Sequence, residues 1–422
     1  MTPAVRPHLS KWWICGLLFL ATTLNYMDRT ALNQLSVRLE SPETGLGLNQ
    51  LQYSLLESRF ALAFAGGALL IGVLADRVSV WWLYPVMVLG WSMAGFASGY
   101  ATTFAQMLIF RSILGLFEAG NWPCGIRATR TLLKPEERSL GNAVFQSGTA
   151  IGAVVTPLVV MLCLWWADRN GMAMAWQLPF RVIGLMGVAW VVLWFALVPR
   201  SRFAEAAPSP GGHSGSFAEV LLDRRFWLLL AVIIAVNTPW HAFRVWLPKL
   251  LVKGHGYSEN FMQVFSAFYY LAADMGSLTV GAVSLWLASR GRSVHGSRMV
   301  VFGACSLLTL STLAVPFVGG GPLLLAVLVV VAFGSLGLFP TYFALSQELS
   351  ARHQGKVTGT LGCLNALFLS QLFPLQGAYL DKFIPTLGPA QAYGWALAFM
   401  GLVPVVAFLL TWALWRDRPA SG

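Results

Sequence analysis

Asp28 and Arg29 stand side by side in an apolar run, KWWICGLLFLATTLNYMDRTALNQL (11–35), long enough to cross a bilayer. A charge at that depth costs several kcal/mol, about 2.5–3.5 on insertion scales, so it persists where it faces a partner or a watery path. A guanidinium there can hold a carboxylate by two parallel, charge-assisted hydrogen bonds. It can equally form a permanent ion pair with Asp28 or with Glu118, an acid in another apolar run. Asp28 and Glu118 are candidate proton carriers, because a proton on the acid balances an anion on the neighbouring arginine.

Other polar residues share this setting. Arg111 lies seven residues before Glu118, two helical turns away on the same face, placed to counter a substrate anion or Asp28 or to pack on a neighbouring helix. Arg59, with Glu57, falls toward one end of its run and reads as a solvated or snorkelling charge at the cavity mouth. In NTPWHAFRVWLP (237–248), Asn237, His241 and Arg244 recur at spacings of four and three, hence on one face. Pro239 and Pro248 predict a bent or broken helix there. Asn237 and Arg244 are substrate candidates. His241 is more readily a hydrogen-bonded structural residue, and Trp240 either stacks on a ligand or packs. Asp274 has no local partner and is expected to pair with Arg244 across the bundle. Gln146, Ser147, Thr149, Asn365 and Gln371 are uncharged hydrogen-bonders, and Gly148, Gly152, Gly359 and Gly362 are expected to allow close helix contact.

The elements that position these residues follow from composition. Of the 422 residues, 57% are hydrophobic and only 11% charged, where soluble domains carry about 25% charged residues. The expected fold is an all-α integral membrane protein with twelve spans, near 11–36, 50–75, 80–100, 104–130, 138–165 and 178–198, then 225–250, 259–288, 297–317, 321–347, 355–380 and 390–415. A Pro/Gly/Ser-rich stretch, AAPSPGGHSGS, marks a linker. The expected domains are therefore 1–198, a cytoplasmic linker 199–224, and 225–422. Lysines and arginines favour the side of the termini and linker by about three to one, which places both termini in the cytoplasm. GVLADR (72–77) at the end of the second span is echoed by LWLASR (285–290), 213 residues later, and the same offset carries Arg29 close to Arg244. Two such repeats predict a site between the halves near the midplane.

Several classes are excluded. The net charge of +11 is spread over short loops, which argues against nucleic acid as a partner. The five cysteines are widely spaced and mostly apolar in context, so no disulfide framework or zinc site is expected. No P-loop, HExxH or other catalytic motif occurs, so neither an enzyme nor a bound cofactor is expected. A ligand-sensing receptor would need a cytoplasmic signalling module, and the longest cytoplasmic segment is the short linker.

GVLADR resembles the front half of the loop motif of the major facilitator superfamily. The basic continuation is replaced by Val78-Ser79-Val80-Trp81. LNYMDR (24–29), RSILGLFEAGNWPCGIRA (111–128) and ERSLGNAVFQSGTAIGAVVTP (137–157) look like the anion:cation symporter family within it, closest to hexuronate transporters. That resemblance implies two six-helix halves that rock around a midplane site. It implies proton-carrying roles for Asp28 and Glu118 and carboxylate binding by Arg29. It makes Thr149 and Asn365 similar in position to sugar-hydroxyl contacts, and Gly72, Asp76 and Arg77 a conformational motif in which Asp76 caps a neighbouring helix. Family members often carry a tyrosine twelve residues before the loop-motif Asp; here that position is Phe64.

The expected function is import of a small organic anion, a hexuronate or aldonate, by proton symport across the bacterial inner membrane, as a monomer in the lipid bilayer. The alternatives are an organophosphate:phosphate exchanger, with Arg29 and Arg244 around one phosphate, and an uncoupled facilitator. Asp28 beside Arg29 would oppose a dianion.

Overall fold

The computed structural model describes residues 11–134, 137–203, 217–349 and 354–415. Twelve helical stretches correspond to the twelve expected spans. In the first half they are α1 Lys11–Gln34, α2 Gln50–Arg77, α3 Val80–Ser98, α4 Phe104–Glu118 continued after a break as Asn121–Leu132, α5 Arg138–Arg169 and α6 Gln177–Leu197. In the second half they are α7 Arg224–Lys249, α8 Glu259–Ser289, α9 Val294–Thr309, α10 Pro322–Gly337 continued as Phe339–Leu349, α11 Gln354–Leu387, and α12 Pro389–Ala398 continued as Leu402–Leu414. Among the described residues no strand occurs, as expected where backbone groups must be satisfied within each segment.

Among the described residues nine helices are long and apolar enough to cross a membrane. The other three expected spans are α1, α4 and α11. Polar residues dilute α1 and α11, and α4 is interrupted at Ala119-Gly120. These are the helices that carry Asp28, Arg29, Glu118 and Asn365, so the polar load that lowers their hydropathy is the candidate site itself.

Helix starts follow ordinary capping chemistry. Asn49 and Gln52 form a reciprocal capping box at α2, and the side chains of Thr103, Asp223, Ser258 and Ser293 accept backbone N–H groups at α4, α7, α8 and α9. α7 runs unbroken past Pro239 and ends in a π-helical turn, Leu250–Gly254, just after Pro248. Of the linker expected over 199–224, residues 204–216 lie outside the described residues. Arg200–Phe203 forms a 3-10 turn with Phe203 packed on Trp194, and Phe217–Leu222 a short helix.

Small residues set the closest helix approaches. A Cβ on Gly148 or Gly152 of α5 would lie 2.5 or 2.6 Å from the backbone oxygens of Phe19 or Thr23 on α1, so these glycines permit close contact as expected. Gly359 and Gly362 do not: a Cβ there, as on Gly66 or Gly72 of α2, would meet nothing within 4 Å. Ala65 of α2 packs beside Cys363 and Ala366 of α11 at that level, so these glycines lie off the contacting faces.

The opposite end is shut. Arg38 donates to both oxygens of Asp168 in its own half at 2.7 Å and to Glu259 of the second half at 2.7 Å. Lys249 bonds Glu40 at 2.6 Å and Gln50 at 2.8 Å, with its ammonium over the Tyr53 ring. The Asp381 carboxylate of α11 accepts the backbone N–H groups of Gln50 and Leu51 at 2.9 Å each, capping a helix of the other half. Deeper in, Ser58 donates to the Ser370 carbonyl at 2.6 Å and Gln263 to that of Gln34 at 3.0 Å.

Candidate functional site

The central charges come from helices distant in sequence. Arg29 of α1 donates through Nε and Nη2 to one oxygen of Glu118 on α4, at 3.0 and 2.9 Å. Glu118 is fully buried, while the Arg29 side chain keeps 14% of its surface exposed. Nη1 of Arg29 has no hydrogen-bond partner among the described residues, and neither has Oε1 of Glu118. Phe60 and Phe64 of α2 and Tyr26 of α1 set their rings 5.0–5.6 Å from the guanidinium carbon. The arginine is thus held by one oxygen and aromatic faces, with a donor edge left over for an acceptor from outside.

Asp28 turns elsewhere. Consecutive helix residues point about 100° apart, and Asp28 packs against Gly95 of α3, where a Cβ would overlap its carboxylate. It is 1% exposed, and neither of its oxygens has a hydrogen-bond partner among the described residues. Arg29 therefore faces α4, and Asp28 faces α3.

A second cluster joins the halves. Glu57 of α2 accepts from Arg244 of α7 at 2.9 Å, from Asn33 of α1 at 3.0 Å and, more weakly, from Arg111 of α4 at 3.4 Å. Arg244 also donates to the Asn33 carbonyl at 2.8 Å and through Nε to Nδ1 of His241 at 3.3 Å. Since Nδ1 accepts, His241 is in the neutral tautomer with its proton on Nε2. Tyr53 accepts from Asn33 at 2.9 Å and donates to the Val245 carbonyl at 3.2 Å. Three acids, Asp28, Glu57 and Glu118, therefore stand among three arginines, Arg29, Arg111 and Arg244, and all but Arg29 are buried.

Two sequence expectations fail here. Glu57 is not a solvated group at the cavity mouth but fully buried; only Arg59, two residues on and some 200° around the helix, is exposed. Asp274 does not pair with Arg244, whose donors are taken by Glu57, Asn33 and His241. Asp274 is half-buried on α8. Glu57 was the functional candidate that sequence reasoning missed. Tyr53, Glu57, Phe60 and Phe64 recur at four, three and four, a face that would have flagged it.

The remaining candidates are placed as follows. Arg111 is fully buried against the Phe60 ring at 4.7 Å. Thr149 is half-buried and its hydroxyl donates to the Gln146 carbonyl of its own helix at 2.9 Å. Asn237 is buried and likewise bonds its own helix, at Ile233, at 2.8 Å. Asn365 is buried, and its side-chain oxygen has no hydrogen-bond partner among the described residues. Trp240 is packed edge-on against Tyr270, so of the two roles open to it, packing is the one seen. Gly72 and Arg77 end α2 next to a cap at Val78; the side chain of Asp76 lies outside the described residues.

Two six-helix groups around a buried, charge-balanced centre, tied together at one end, define a multi-pass membrane transporter. The fold agrees with solved structures. It superposes on a bacterial homolog of the human lysosomal transporter Spinster, inward-facing and unoccupied, with a TM-score of 0.79 at 18% identity, covering 99% of this chain and 100% of that one. Residues 18–370 match the model of the Major Facilitator Superfamily, and the chain belongs to that family. Family membership makes it a transport protein rather than an enzyme. Among curated relatives, it is 22% identical to the hexuronate transporter of Escherichia coli K12 over 97% of this chain and 95% of that one. It is 27% identical to the hexuronate transporter of Bacillus subtilis over 87% and 86%, and 24% identical to an Escherichia coli D-galactonate transporter over 97% and 96%.

Proposed function

We propose that this transporter imports a sugar acid, a hexuronate or aldonate, by proton symport with alternating access. The observation that carries the reading is Arg29, tied to Glu118 through one carboxylate oxygen and left with a free donor edge. A substrate carboxylate docks on that edge. A proton on Glu118 loosens its hold on Arg29, so anion and proton enter together and the charge of the centre is unchanged. Glu118 is the main coupling acid and Asp28, packed on Gly95, contributes as a second one. Arg111, Thr149, Asn237 and Asn365 complete the substrate site. The names of the relatives, hexuronate and galactonate transporters, support the substrate class.

The halves are 1–198 and 225–422, joined by the linker 199–224. They rock as units, with Gly72, Asp76 and Arg77 at the moving interface. The basic bias of the loops supports both termini in the cytoplasm of the bacterial inner membrane, so the shut end faces out. The protein acts as a monomer. An organophosphate exchanger that closes Arg29 and Arg244 around one phosphate is disfavoured, because Asp28 beside Arg29 opposes a dianion.

The test is uptake into proteoliposomes. An inward proton gradient drives accumulation of D-glucuronate or D-galactonate, and Glu118→Gln abolishes accumulation while sparing counterflow exchange. Accumulation indifferent to the gradient would rule out symport.

A further inference from the structure

The two arginine–acid pairs differ in a way that matters for movement. Arg29 and Glu118 both belong to the first half, so their bond is indifferent to the halves moving apart. Glu57 and Arg244 lie on opposite halves, 187 residues apart in the chain, and their bond must break if the shut end is to open. Both side chains are essentially excluded from water, at 0% and 2% exposure, so solvent screens the attraction little.

The site around Glu57 also has spare capacity. Arg244 offers every guanidinium nitrogen to a partner: Nη2 to Glu57, Nη1 to Asn33 and Nε to His241. Arg111 does not. It is buried, touches Glu57 through Nη2 at 3.4 Å only, and leaves Nε and Nη1 without a hydrogen-bond partner among the described residues. A buried guanidinium with two empty donors is an anion site awaiting another acceptor.

We propose that Glu57 is the resident carboxylate of a second anion site, built by Arg244, Asn33 and Arg111, and that an incoming carboxylate displaces it to release the shut end. While Glu57 occupies Arg244, the halves are latched. A carboxylate that takes over Arg244 leaves Glu57 to the empty donors of Arg111 within its own half, and the latch is gone without a charge being stranded. Ligand binding thus favours opening without being required for it. The displacement step rests on the reading of the chain as an organic-anion carrier; the latch itself needs no ligand.

Spin labels at Thr102 and Thr386, exposed residues on opposite halves at the shut end, report the opening by electron–electron distance measurement. The five native cysteines are replaced in this background, and the variants are Glu57→Gln, Arg244→Gln and the double substitution, with D-glucuronate as probe. Without ligand, each single variant should lower the ratio of short to long distances roughly tenfold, and the double variant no further. The double variant removes both charges together, so it folds even where one unpaired charge does not. An unchanged distribution, or effects of the two substitutions that add, overturns the latch. With D-glucuronate, the wild type should shift the same way and Glu57→Gln should bind roughly tenfold more tightly. Binding that leaves the wild-type distances unchanged overturns displacement. If D-glucuronate binds neither protein, the sugar-acid reading and displacement fall together, while the ligand-free comparison still decides the latch.

Discussion

Replacing Glu118 by glutamine should tighten anion binding, the reverse of what loss of a binding residue does. Two N–H groups of Arg29 reach Glu118 Oε2, at 3.0 and 2.9 Å. Hydrogen bonds to a charged group contribute about 1.5–3 kcal/mol and neutral ones about 0.5–1.5. Glutamine keeps the shape and an acceptor oxygen but not the charge, so the hold on Arg29 weakens by about 1–2 kcal/mol after the bonds readjust. Glu118 is fully buried, so water does little to soften the change. A substrate carboxylate no longer competes with an anion for the guanidinium, and its affinity rises about 5–30-fold. The assay is equilibrium binding of D-glucuronate to purified protein by calorimetry between pH 5.5 and 8. With Glu118 as the coupling acid, wild-type affinity should increase as pH falls. In Glu118→Gln the charge is already removed, and affinity is high and nearly independent of pH. Weaker binding in the variant, or a pH slope like that of the wild type, would refute competition between Glu118 and substrate for Arg29.

Other perturbations test the frame around the site. Asp381→Ala removes the carboxylate that caps α2 from across the halves; loss of such a cap costs about 1–2 kcal/mol. Alkylation of a cysteine introduced at Ser370, buried in the present structure, should then speed up severalfold, and an unchanged rate counts against the cap as part of the closure. Gly152→Ala forces a methyl to 2.6 Å from the Thr23 carbonyl and should destabilise the α1–α5 contact by about 1–3 kcal/mol, read as a lower thermal midpoint in detergent. Phe64→Tyr brings a hydroxyl to a ring already 5.0 Å from the Arg29 guanidinium. It should favour hydroxylated acids over a plain carboxylate such as acetate by about 0.5–1.5 kcal/mol in competition binding.

Much of the architecture is legible in the chain because a bilayer leaves few options. Segments of about 20 apolar residues become helices, and twelve of them with a polar break in the middle become two bundles. α7 stays helical through Pro239, and an irregular turn comes only after Pro248. The importance of Arg29, Glu118, Arg111 and Arg244 is also legible, since a charge in an apolar run is costly wherever it ends up. Their partners are not. Glu57 lies only two residues from the exposed Arg59; the helical period puts it on a face with Tyr53, Phe60 and Phe64, but which partners that face meets is not set until α1 and α7 close over it.

The sequence by itself therefore determined the class of protein, the helices, and most of the charges that lie within them. Only the tertiary structure decided that Arg29 meets Glu118, 89 residues away, that Asp28 lies against Gly95, and that Arg244 is spent on Glu57 rather than on Asp274. The physical reason is range. Hydropathy and helical period act within a segment. Charge pairing acts over a few ångströms between segments, and it has no partner to choose until the helices have packed.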